Sequence, residues 1–179
     1  MPVSKQKTGV IARSLMLCIL ALSLSATGDA AAGELSPVTA TTPLVLHLPD
    51  LEGQVQALEA LRGMPVLVNF WASWCTPCIT EMPSIQRLAD DMRDLPFAVV
   101  GVNVGEGQLR VRGVVERLGL DFPILIDRDS AAFERLRISV LPTTFLLDGD
   151  GVVRYVGRGP LEWDSAEVKD ILQELGAVH

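Results

Sequence analysis

The run Pro65 to Trp71, P-V-L-V-N-F-W, is almost continuously apolar and rich in β-branched and aromatic residues, as a strand buried on both faces would be. It predicts the central strand of a sheet. Beyond Cys75 the pattern changes period: Ile79, Met82, Ile85, Leu88, Ala89 and Met92 recur at helical spacing, so a helix follows the strand directly. Residues 97–104 read as the next buried strand, 109–118 as a helix, 122–126 as a third strand and 130–136 as a short helix. Residues 143–147 and 152–156 flank the turn sequence D-G-D-G and predict a hairpin. The last helix is expected to start at Asp164 as N-cap, with Glu167 three residues on as the second half of a capping box.

Upstream of the central strand, residues 44–48 and 54–57 look like short strands around a turn at 50–53, and residues 58–62 like a brief helical turn. Strands alternating with helices predict an α/β domain with a largely parallel sheet covered on both faces. At 179 residues the chain suits one such domain. Residues 33–43, G-E-L-S-P-V-T-A-T-T-P, carry no apolar period and read as a flexible tether, which starts the folded domain near Leu44 and extends it over 44–179.

The first 32 residues follow a different logic. Lys5, Lys7 and Arg13 precede an uncharged run from Ser14 to Ala26, and Ala30 to Ala32 follow, the order of an export signal. Two alternatives stay open: a retained anchor, if Arg13 snorkels and Ile11 and Ala12 lengthen the apolar stretch, and a lipid anchor on Cys18, where bulky Met16 and Leu17 argue against it. Removing residues 1–32 takes the formal net charge from −7 to −9. Such an acidic domain repels nucleic acid and anionic lipid, leaving neutral or basic proteins and small molecules as partners.

Cleavage would also leave two cysteines, Cys75 and Cys78, spaced C-x-x-C at the strand-to-helix junction. One pair so close in sequence closes too small a loop to be a useful structural staple, which points to chemistry instead. A cysteine at a helix N-terminus meets unpaired N–H groups and the positive end of the helix dipole, which lower its pKa from roughly 8.5 and make it a nucleophile. Cys75 holds that place. Cys78, one turn along and on the same side, can resolve the mixed disulfide that Cys75 forms, and Pro77 suits a first helical turn because its missing N–H costs nothing there. Zinc usually takes four ligands, and only His47 and His179 stand beside the cysteine pair; no metal or separate cofactor is expected. Gly105-Glu106-Gly107 lacks the third glycine of a dinucleotide fingerprint. Trp74 could form an exposed substrate platform, whereas Trp71 suits the core and Trp163 reads as packing.

The segment W-A-S-W-C-T-P-C resembles the thioredoxin superfamily. With G-M-P-V-L-V-N-F before it, I-T-E-M-P after it, and F-P-I-L-I-D and V-L-P-T-T-F-L-L-D-G-D-G further on, the chain is similar to the TlpA/ResA-like branch from about Asp50 to Gly157. The resemblance implies a thioredoxin fold: a mixed central sheet with helices on both faces, an N-terminal strand extension, and an inserted helix and strand that residues 108–126 can supply. It implies a protein-disulfide reductase of the periplasm or exterior, acting on exported proteins such as apocytochromes awaiting haem or copper-site proteins. A membrane electron donor would recharge it, and a monomer is expected.

Pro142 corresponds to that family's cis-proline, which leaves the backbone of Leu141, with Thr143 beside it, free to pair with a substrate chain. Glu81 matches an active-site glutamate of the branch, with proton exchange at Cys78 as its role; an exposed acid that merely favours the helix N-terminus is the alternative. Asn69 stands where cytoplasmic thioredoxin has a buried acid, and an amide cannot take up a proton at neutral pH, so Glu81 becomes the substitute. Pro83 matches a helix-kinking proline. An oxidase or isomerase is the nearest rival, and a copper-delivery module holding the metal on both thiols is a rival from another class. Peroxide activation has its own motif around the cysteine, which sets a thiol peroxidase further off.

Overall fold

A computed structural model describes Met1 and residues 33–177. The expected signal segment, with Cys18, and the terminal His179 lie outside the described residues. Thirteen short elements follow one another: β1 (Glu34–Pro37), β2 (His47–Pro49), β3 (Val55–Ala57), a 3-10 turn (Leu58–Leu61), β4 (Val66–Trp71), α1 (Thr76–Asp91), β5 (Ala98–Val104), α2 (Gln108–Leu118), β6 (Ile124–Asp127), α3 (Ala131–Arg135), β7 (Thr143–Leu147), β8 (Val153–Arg158) and α4 (Ala166–Gly176). Six strands form one sheet in the order β1-β8-β7-β4-β5-β6, and β2 pairs with β3 in a separate hairpin.

Every residue of β4 is buried, and it sits between β5 and β7 as the apolar run requires. Its period of two divides the side chains between two cores. Leu67 and Trp71 pack with Met82, Ile85 and Leu88 of α1 and with Val168 and Leu172 of α4. Val66, Val68 and Phe70 face the other way, toward Val100, Val102 and Ala132. Asn69 therefore lies on the α1 face between two apolar neighbours, a placement that matters below. Close approach on this face needs glycine at two places. A Cβ on Gly101 would stand 2.7 Å from Ile124 and 3.2 Å from the Trp71 indole nitrogen, and one on Gly157 would stand 2.8 Å from the Trp163 ring.

The sheet is mixed rather than largely parallel: β4, β5 and β6 run parallel, whereas β7 and β8 form the hairpin and join antiparallel. Alternation of strands and helices predicts parallel pairing only where a helix intervenes, and between β7 and β8 there is a turn instead. In that turn Asp148 accepts from the backbone N–H of Asp150 and of Val152.

Residues 34–37, read as tether, form β1 along the edge of β8, with Leu35 opposite Gly157. An edge strand needs only backbone pairing on one side, so Ser36 and Pro37 are tolerated there and the apolar period is lost to view. Further on, Leu44 and Leu46 are buried but outside any strand, and β2 begins only at His47.

The N-cap of α4 is Ser165, not Asp164: the Ser165 hydroxyl accepts from the Val168 N–H, while Asp164 is held by Arg87 of α1, whose Nε donates to Oδ2 at 2.6 Å. Ser165→Ala is expected to cost about 1 kcal/mol of stability, read as a lower urea midpoint with unchanged slope.

Candidate active site

The C-terminal ends of the parallel strands β4 and β5 send their loops to one edge of the sheet, where the cysteine motif lies. Cys75 is the N-cap residue of α1, in extended backbone conformation, and its sulfur accepts from the Cys78 N–H at 3.3 Å. Thr76 and Pro77 open the helix. The two cysteines are joined by a disulfide with Cα atoms 5.3 Å apart. Cys78 is fully enclosed and Cys75 is 6% exposed, so of the pair only Cys75 has any surface open to a partner. Trp74, next to it, is 68% exposed, whereas Trp71 is buried in the core.

Across the same edge, Thr143 pairs with Phe70, which puts Pro142 and Leu141 just beyond the end of β4. The Leu141–Pro142 peptide bond is cis. Thr143 itself is buried, and its hydroxyl donates to the Val140 carbonyl, while Val140 is exposed.

Glu81 is not the exposed acid of the alternative reading. Only 2% exposed, it lies on the buried face of α1, three residues beyond Cys78. Its Oε1 accepts from Asn69 Nδ2 at 2.8 Å, and its Oε2 accepts from the Leu161 N–H and from Trp163 Nε1, each at 3.1 Å. Asn69 Nδ2 donates as well to Thr144 on the neighbouring strand. Burial pushes the Glu81 carboxyl up to about 7, against the opposing pull of the Trp163, Leu161 and Asn69 donors. A carboxyl that titrates near neutrality can both take and return a proton there.

Trp163, expected as packing, thus also holds Glu81, from 82 residues away in sequence. Ser84 supports this arrangement by accepting from the Trp163 N–H while donating to the Glu81 carbonyl. A tryptophan before a helix carries no local sign of such a duty. His47 lies away from the cysteines, on β2, where it bonds to Glu59. Among the described residues no cluster of three or more metal-ligating side chains occurs. A cavity of about 480 Å³ is bounded by the β2–β3 hairpin and the segment 120–125, and no residue of the cysteine motif lines it.

A disulfide at a helix N-terminus, its first cysteine beside an exposed tryptophan, at the edge of a mixed sheet with a cis-proline opposite, defines a thioredoxin-fold dithiol/disulfide centre. The chain belongs to the Redoxin family, whose profile matches residues 30–175. It is 39% identical over 131 residues to the thiol-disulfide oxidoreductase ResA of Geobacillus thermodenitrificans, spanning 73% of this chain and 72% of that protein. It is 31% identical over 155 residues to ResA of Bacillus subtilis, spanning 87% and 84%. Among solved structures, StoA of Bacillus subtilis superposes with a TM-score of 0.60 at 26% identity over 74% of this chain and 96% of StoA. A Chlorobium tepidum protein provisionally assigned as the thiol:disulfide interchange protein DsbE gives 0.70 at 26% identity, over 79% and 100%. This protein is a ResA-like thiol-disulfide oxidoreductase of thioredoxin fold.

Proposed function

We propose that the protein reduces disulfides of exported proteins, with Cys75 as nucleophile and Cys78 as resolving thiol. The observation that carries this reading is Cys75 as the N-cap of α1, partly reachable, with its sulfur already accepting the Cys78 N–H. In the reduced protein the Cys75 thiolate attacks one sulfur of a substrate disulfide; a new S–S bond forms and the other substrate sulfur leaves as a thiolate. Cys78 then attacks the Cys75 sulfur and the attacked substrate sulfur leaves as a thiolate, so the substrate has gained two electrons and departs as a dithiol while the Cys75–Cys78 pair has lost two and is left as a disulfide. Glu81 takes the Cys78 proton when ionised. Trp74 and the backbone of Leu141, with Pro142 and Thr143 beside it, form the platform on which the substrate chain lies. No cofactor beyond the cysteine pair takes part.

Export rests on the residue order of 1–32, and no helix among the described residues is long and apolar enough to cross a membrane. In an oxidising compartment a reductant needs a dedicated membrane donor. Apocytochromes c and copper-site proteins are the substrates that the family resemblance suggests, taken up by a monomer.

Direction follows from the spacer. Thr76-Pro77 places no cation between the cysteines, and Glu81 adds a carboxyl nearby, so the thiolate gains little beyond the helix terminus. The pair should equilibrate with dithiothreitol or glutathione buffers at a potential closer to about −270 mV than to about −120 mV. A value above about −150 mV would overturn the reductase in favour of the oxidase.

A further inference from the structure

A second buried glutamate stands on the other side of the cysteine motif. Glu106, 7% exposed, follows β5 in the loop before α2. Its Oε2 accepts from the Ser73 N–H at 2.6 Å and from Asn103 Nδ2 at 2.9 Å, and its Oε1 accepts from the Ser73 hydroxyl at 2.5 Å. Burial works to raise its pKa, but the Ser73 hydroxyl and N–H, Asn103 and Arg110 outweigh it and hold the carboxyl below its ordinary value. Arg110 Nε, from the first turn of α2, stands 3.8 Å from Oε1. Ser73 belongs to the four-residue turn before the helix, closed by the Cys75 N–H on the Ala72 carbonyl. Both donors of Ser73, its N–H and its hydroxyl, are thus taken by one carboxylate, and the next two residues are Trp74 and Cys75.

We propose that Glu106 is a positioning residue for disulfide exchange: through Ser73 it fixes the turn 72–75, so that the Cys75 sulfur and the Trp74 ring meet an incoming disulfide in one geometry. This rests on the exchange reading above. Displacement at sulfur is directional, and a turn free to move on the order of 1 Å spends much of its time out of line, with losses of up to about a hundredfold. Asn103 fixes the carboxylate in turn, standing opposite Trp71 in the β4–β5 register.

The donor pattern makes the test selective. In Glu106→Gln the amide oxygen can occupy the Oε2 place and accept from both nitrogens, while the amide nitrogen donates to the Ser73 oxygen, so the tie survives without the charge. Glu106→Ala breaks it. Single-turnover rates of the reduced, full-length protein with a small aromatic disulfide, and insulin reduction with dithiothreitol, are measured well below each variant's Tm. Cys75→Ser serves as the blank.

E106A is expected to be slower by about tenfold or more, E106Q to recover to within about threefold of wild type, and Ser73→Ala, which keeps the N–H bond, to lie between. Should E106A fail to fold, a slowed S73A beside a near-normal E106Q carries the same conclusion, and an unslowed S73A overturns it. A carboxylate that only adds stability would lower Tm and leave the rate of the folded protein unchanged, and that result overturns the proposal while leaving the exchange reading intact. Equal slowing of E106A and E106Q overturns it too, assigning the effect to charge. A wild-type protein no faster than the blank overturns both readings together.

Discussion

Cys75→Ser is expected to bring insulin reduction down to the uncatalysed background, while Cys78→Ser keeps a reactive thiol and accumulates mixed disulfides with its substrates. The asymmetry follows from placement on α1. Cys75 is the N-cap, its sulfur already an acceptor for a helix N–H, and it alone of the pair has exposed surface. Cys78 lies inside the first turn and is enclosed. A thiolate is stabilised at the first position and reachable there, and neither holds at the second. Alkylation of the reduced protein by iodoacetamide should be faster at Cys75 than at Cys78, read by peptide mass spectrometry. Equal rates at the two thiols would remove the assignment of roles. Proteins trapped on C78S from the native compartment would name the substrates.

Glu81 should leave its mark on the pH dependence of both stability and turnover. Its carboxyl is raised from 4.5 to about 7 by burial, so the folded protein binds that proton more tightly than the unfolded chain does. The stabilisation this provides is complete below about pH 4.5 and is lost as pH rises to about 7, an amount of about 3 kcal/mol over that window. The carboxyls of Asp121 and Asp164 are held below their ordinary values by Gln86 and Arg87 respectively, and their contribution is lost only at lower pH. Urea unfolding of the oxidised protein between pH 5 and pH 8 should therefore show a falling stability that Glu81→Gln flattens. Turnover in E81Q should slow and lose its inflection near neutrality. Parallel stability profiles for wild type and E81Q, or an unchanged pH–rate curve, would take Glu81 out of the mechanism.

What could be read from the chain beforehand was whatever local pattern carries. The run 65–71 and the helical spacing after Cys75 placed the cysteines at a strand-to-helix junction, and α1, β5, α2 and β7 lie within a residue or so of their expected bounds. Asn69 was legible too, as an amide where a proton carrier was wanted, although its bond to Glu81 needed the fold to bring β4 and α1 together. The ties from Trp163 to Glu81 and from Ser73 to Glu106 span 82 and 33 residues, and no periodicity spans such distances. Gly105-Glu106-Gly107, weighed only as a nucleotide fingerprint, held a carboxylate whose partner, Ser73, lies in the loop that follows another strand. Composition also misled at the N-terminal edge, where Ser, Thr and Pro suggested a tether and backbone pairing made a strand.

That strand has a consequence for how the molecule behaves in company. The rim of an open sheet offers a ladder of unpaired N–H and C=O groups on which a strand of another chain can assemble. On the β8 side this rim is covered by the protein's own β1, four residues long, with Glu34 at one end and Pro37 at the other. Shortness, a charge and a proline each discourage further addition, so the chain brings its own stopper. On that side the molecule is thereby shielded from joining other chains strand to strand.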